Sequence, residues 1–169
     1  MAARGESFGT WWKRLRFNLF PAFWGTGAKV TYIAEDMRTI RIKLPLNFRT
    51  RNIHGTLFGG AMYAAIDPIY PILIKVGLGS GYIIWDKAGA IRYRKPGRSA
   101  LFAECSMSDQ DLATLKARLE TESSVDVDRE IELADAAGVV HAVVQKTIYV
   151  ARKDVYQLRV RQETESGPR

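Results

Sequence analysis

In the run NIHGTLFGGAMYAAIDPIYP, residues 52–71, a single acidic residue lies inside a stretch of small and apolar side chains. Asp67 follows the glycine pair Gly59–Gly60 at a spacing of two helical turns, Pro68 comes directly after it, and Pro71 follows Ile69 and Tyr70. These residue types suit a reaction that builds negative charge on a carbonyl oxygen. Backbone N–H groups at a helix start are ready oxyanion donors, aided by the positive end of the helix dipole. Glycine there lets a carbonyl approach the backbone with no Cβ in the way. A carboxylate further along the same helix can activate water or attack directly. Each residue also has a plainer role. Asp before Pro caps a new helical segment, and paired glycines allow close packing of a helix on a sheet. The reading fails if the carboxyl is consumed by backbone or a cation with no open space beside it.

Other groups qualify by type. His54, in the loop before the glycines, orients water or substrate, or else hydrogen-bonds nearby backbone. The segment RYRKPGRS gathers Arg92, Arg94, Lys95 and Arg98 around one turn, a cluster suited to phosphate groups or to a solvated strand face. His141 alternates with core positions of a strand and reads as structural. Asp86, beside Lys87, is either a second polar group in the pocket or an ion pair at a sheet edge. Cys105 falls in a strand and reads as core filling.

These groups need elements to hold them. Residues 8–24 crowd seven aromatics with Lys13, Arg14 and Arg16, which fits a basic amphipathic helix ending near Pro21. Packing on its own domain or on a subunit partner is one use, and contact with a membrane surface is the alternative. Strands are expected at 28–35 and 38–46, the latter with Ile40, Ile42 and Leu44 on one face. Phe58 to about Val76 is apolar on nearly every side, the mark of a buried helix, which Pro68 and Pro71 should bend or divide near Asp67. Residues 82–97 and 99–109 read as a hairpin closed by Pro-Gly, 109–120 as a surface helix, and 125–135 with 138–153 as a further hairpin. The expected organisation is an N-terminal segment 1–24, one domain over 25–155 and a polar tail 156–169. One apolar helix with six antiparallel strands implies an α+β sheet wrapped around that helix. One sheet cannot cover such a helix on every side, so a homodimer, or a tetramer, is expected.

Composition narrows the classes. A chain of 169 residues, 47% hydrophobic, suits one domain with a sizeable core. Two histidines and one cysteine cannot form a soft metal cluster, so no metal is expected. The net charge of +7 attracts anions, yet no nucleic-acid-binding pattern accompanies it, and nucleic acid is not expected as a partner. A lone cysteine and the lack of a secretory pattern near Arg4 and Glu6 point to the cytoplasm. The stretch from Ala61 to Leu78 is broken by Asp67, Pro68, Pro71 and Lys75 and reads as a poor bilayer span.

FGGAMYAAID resembles the HGG-x-x-x-x-x-x-D signature of the hotdog-fold acyl-CoA thioesterases. The wording N-x-x-GT-x-FGGA resembles still more a branch known as a domain of unknown function, with GT-x-FGG in place of HGG. The strand order over residues 28–152 agrees with that fold. The resemblance implies an antiparallel sheet around a central helix and a dimer. It implies hydrolysis of a fatty or aryl acyl thioester, on coenzyme A or on an acyl carrier, with coenzyme A entering only as part of the substrate. It makes Asp67 the base or nucleophile and Gly59, with Gly60, the oxyanion donors. Asn52 becomes a residue orienting water or the carbonyl. Phe58 and Tyr63 join the basic cluster as substrate-binding candidates. Two positions depart from the family: Phe58 replaces the motif histidine, and Trp85 and Asp86 stand where a serine or threonine is expected. Non-catalytic binding of acyl-CoA or lipid in the same groove is the alternative function. A dehydratase would need a facing histidine and acid, for which His54 and Asp67 are the pair.

Overall fold

Alternation along the strands decides which face turns inward. In the computed structural model, which describes residues 6–165, Ile40, Ile42 and Leu44 of β2 (Thr39–Leu44) are all buried. The neighbouring strand β1 (Lys29–Ile33) pairs with it in a hairpin. Beyond them lie β3 (Tyr82–Tyr93), β4 (Leu101–Ser106), β5 (Ser124–Ala134) and β6 (Val140–Arg152), forming one antiparallel sheet in the order β1-β2-β4-β5-β6-β3. The inner face continues through Leu101 and Cys105 of β4, Val125, Ile131 and Leu133 of β5, and Val144, Ile148 and Val150 of β6. Cys105 is core filling, and burial raises its thiol pKa to about 12.

The β5–β6 hairpin forms as expected. The expected hairpin of residues 82–97 with 99–109 does not. β3 pairs with β6 at the far edge, while β4 sits between β2 and β5. The Pro-Gly segment therefore closes no tight turn but crosses the open end of the sheet. It is held there by Leu57 N–H donating to Gly97 C=O and by the His141 ring against Pro96 C=O.

The sheet wraps α3 (Gly59–Ile66) and α4 (Ile69–Leu78), one apolar rod divided at Asp67–Pro68. Residues Gly59–Leu78 are long and apolar enough to cross a membrane. Here Ala65, Ile66, Ile69, Leu73 and Ile74 form the centre of the core. The division follows from two missing donors. Pro68 has no N–H for the carbonyl of Ala64, and Pro71 has none for the carbonyl of Asp67. Asp67 is thus left with a free backbone acceptor as well as a carboxylate.

Before β1 the chain forms α1 (Phe8–Leu19) and α2 (Pro21–Gly25). Asn18 binds both polar groups of Val30, accepting from its N–H at 2.7 Å and donating to its C=O at 2.9 Å, which ties α1 to β1. After β4, α5 (Asp109–Thr121) starts in a Ser108–Asp111 capping box and buries Leu112, Leu115 and Leu119. Where a polar tail was expected from residue 156, the chain forms α6 (Lys153–Glu165). Tyr156 of α6 lies edge-on to Trp85. Residues 1–5 of the expected N-terminal segment and 166–169 of the tail lie outside the described residues.

Candidate active site

The site begins with a charge in an apolar phase. Ala142, Val144, Ile148 and Val150 of β6 all face the core, and Lys146 shares their alternation. Its side chain is fully buried. A buried ammonium carries three donors and must find acceptors for them. Lys146 Nζ donates to the carboxylate of Asp67 (Oδ1, 2.9 Å), to the carboxylate of Asp86 (Oδ2, 2.7 Å) and to the backbone C=O of Asp67. The last is the carbonyl that Pro71 leaves without a donor. One lysine therefore closes the helix break and joins β6, β3 and the central rod through two ion pairs.

The two carboxylates are not equivalent. Asp86, inward on β3, keeps 25% of its side chain exposed, and its Oδ1 is buried with no hydrogen-bond partner among the described residues. Burial raises its pKa, opposed by the hydrogen bond from Lys146. Asp67 keeps 45% of its side chain exposed. Lys146 engages Oδ1 and leaves Oδ2 outside the ion pair. Asp67 lines a cavity of about 580 Å³ whose other walls include Ala64 and Ile72 of the rod and Phe17, Phe20 and Phe23 of the N-terminal helices. Lys13 and Arg16 add positive charge to its lining. The cation at Asp67 is thus present, and so is the open space.

Tyr63, one turn before Asp67, places its ring 5.7 Å from the Lys146 ammonium. Burial raises its pKa. Its hydroxyl occupies the space where a Cβ at Gly89 would sit, at 2.0 Å, so a side chain at that point of β3 would displace the Tyr63 ring. Trp85 alternates with Asp86, faces the opposite side and stacks on Tyr149 at 4.5 Å.

At the rod's start, the first helical hydrogen bond runs from Met62 N–H to Phe58 C=O. Helix geometry leaves the N–H groups of Gly59, Gly60 and Ala61 ahead of that bond. A Cβ on Gly59 would lie 2.5 Å from the Tyr93 hydroxyl, and one on Gly60 would meet the Phe58 ring at 2.5 Å. Phe58, the N-cap, is exposed.

The remaining candidates lie apart from the Lys146 cluster. Asn52 holds its own loop: Oδ1 accepts from His54 N–H and Thr56 N–H, and Nδ2 donates to Thr56 Oγ1. His54 is exposed in that loop, ahead of the rod. Arg92, Arg94, Lys95 and Arg98 are all exposed. Lys87 pairs with Asp126, so Asp86 takes Lys146 instead of its neighbour. His141 is structural, bonded to Pro96 C=O and to Asp135.

Sequence reasoning missed Lys146. The signal was there: a lysine in step with the buried positions of AVVQKTIYV can only point inward, where it needs acid partners.

A family model described as a domain of unknown function, DUF4442, matches residues 10–150. No curated protein sequence matches the chain. Among solved structures, a probable thioesterase of unknown function from Pseudomonas aeruginosa is similar at TM-score 0.76 and 16% identity, over 89% of this chain and 99% of that one. A thioesterase from Haemophilus influenzae gives 0.62 and 15%, over 89% and 95%. The PaaI protein of the E. coli phenylacetic acid degradation operon gives 0.56 and 14%, over 83% and 91%. With the sheet and rod described above, these similarities establish the hotdog fold.

Proposed function

We propose that this chain, which belongs to the DUF4442 family of domains of unknown function, hydrolyses acyl thioesters, with Asp67 as the group acting on the acyl carbon. The observation that carries the reading is the half-exposed Asp67 carboxylate in the wall of a largely apolar cavity. An acyl chain fits such a space, and a carboxylate beside it can take a proton from attacking water or attack the carbonyl itself. The bond broken is carbon–sulfur, and the electron pair leaves with the thiolate. Lys146 acts on Asp67 and not on substrate: its two ion pairs fix the carboxylate at the helix break. Thioesterases among similar structures support the reaction class.

The oxyanion donors in this reading are Gly59 and Gly60, and they call for a second copy. The step from Gly59 to Asp67 is about 12 Å of helix rise, farther than a single carbonyl and its attacking water reach. Asn18 covers part of the β1 edge, whereas β3 ends the sheet on the other side. In this reading two β3 edges pair antiparallel and bring one rod's glycine start toward the other's Asp67. Phosphates of a coenzyme A or phosphopantetheine carrier would then meet Arg92, Arg94, Lys95 and Arg98.

One observation favours a second reading. The Asp67 carboxylate is already held in an ion pair by Lys146, an arrangement that also suits a groove that holds an acyl ligand without turnover. A panel of acyl-CoA and acyl-carrier thioesters of increasing chain length, followed by thiol release, decides between the two. Hydrolysis that depends on chain length supports the enzyme. Retention of intact thioester without thiol release supports the binder.

A further inference from the structure

Helix α1 is mounted with its apolar stripe outward. Phe8, Trp11, Trp12, Leu15 and Leu19 recur at helical spacing on one side. Phe8 is 76% exposed and Leu19 64%, and both tryptophans are exposed as well. The inward side carries one aromatic, Phe17, packed on Phe23 at 4.6 Å, and is otherwise polar: Thr10 is buried, Arg14 pairs with Glu6, and Asn18 binds Val30. The stripe continues through exposed Phe20 and Trp24. A soluble domain's packing helix shows the reverse arrangement, and an exposed apolar patch of this size marks an interaction surface.

We infer that this face docks on an anionic lipid bilayer and opens the Asp67 cavity toward the acyl-chain layer. Three observations select a membrane over a second copy of the chain. Three of the four tryptophans, Trp11, Trp12 and Trp24, lie on this segment, and tryptophan favours the depth of lipid headgroups. Lys13 and Arg16 flank the stripe, Arg49 lies over the Trp24 ring at 4.2 Å, and no acidic residue occurs from Ser7 to Ala34. A two-fold contact through this face would set those cations against themselves, whereas an anionic surface complements them. Phe20, Lys13 and Arg16 belong both to this face and to the cavity lining, so a bilayer held here lies at the cavity's mouth. Docking rests on α1 and α2 alone, while delivery of an acyl chain to Asp67 rests also on the hydrolase reading.

Co-sedimentation of the full chain with phosphatidylglycerol vesicles and with phosphatidylcholine vesicles tests it, without turnover as a readout. The expected result is binding to the anionic vesicles, weakened at least about tenfold by Phe8→Ser with Trp12→Ser. Hydrolysis of a short, water-soluble acyl thioester should be unchanged in that variant, since neither residue lines the cavity. Absence of vesicle binding overturns the inference, as does equal binding by wild type and variant. A larger assembly that the two substitutions dissolve, with no vesicle binding, assigns the face to a subunit contact and also overturns it. Binding without hydrolysis of any thioester removes the proposed reaction and leaves the docking surface standing.

Discussion

Replacing Lys146 by methionine tests how the site is held together. The side chain keeps its buried stem but loses the ammonium. Three acceptors lose their donor: both carboxylates and the Asp67 carbonyl that Pro71 cannot satisfy. Removing one partner of a buried ion pair costs about 3–5 kcal/mol. Asp67 and Asp86 retain 45% and 25% side-chain exposure, so water recovers part of this. A loss of about 2–3 kcal/mol at neutral pH is expected in urea unfolding. The pH dependence has a definite sign. The folded pKa of Asp86 lies above its unfolded value because burial outweighs the pull of Lys146. Such a group contributes stability that is present below the unfolded pKa and is lost as pH rises through the folded one. Without Lys146 the folded pKa moves up further. The variant's deficit is therefore expected to shrink on acidification toward about pH 4, and adding Asp86→Asn should restore part of the stability at neutral pH. A deficit under about 0.5 kcal/mol, the size of an ordinary surface substitution, or one that grows on acidification, refutes this account of the cluster.

Pro71→Ala returns a backbone donor to the Asp67 carbonyl and should straighten the rod in part, with Pro68 still withholding a donor from Ala64. Melting temperature should change little or rise, while thioester turnover falls as Asp67 leaves its place beside the cavity. Gly89→Ala drives a Cβ into the Tyr63 hydroxyl and should cost about 1–3 kcal/mol in chemical denaturation, most of it recovered by adding Tyr63→Leu. Asn52→Ala removes the side chain that organises the 52–56 loop and should destabilise by about 1–2 kcal/mol, with turnover per folded molecule unchanged.

Much of the fold is legible because its signals are local and periodic. Ile40, Ile42 and Leu44 announce their face by alternation, and Pro68 announces the divided rod by the donor it lacks. The β3–β4 misassignment has the opposite cause. A Pro-Gly pair reads the same whether it closes a hairpin or crosses the end of a sheet, and the choice is made by distant partners, Leu57 and His141. In the candidate site, the solitary position of Asp67 singles it out in the sequence, and the structure places it in a cavity wall. Lys146 was not legible, because a lysine is ordinarily assigned to the outside, and the acids that hold it lie 79 and 60 residues away in sequence. Asn52 was placed by resemblance at the reaction centre, whereas its amide is committed to its own turn.

The most direct measurement is the rate of thiol release for Asp67→Asn beside the wild type, both verified as folded, on the acyl thioester that the wild type turns over best. The amide retains an oxygen acceptor for Lys146 but gives up the negative charge, and with it the base or nucleophile, so the account expects a fall of about 10²–10⁴ in kcat. An unchanged kcat would contradict it.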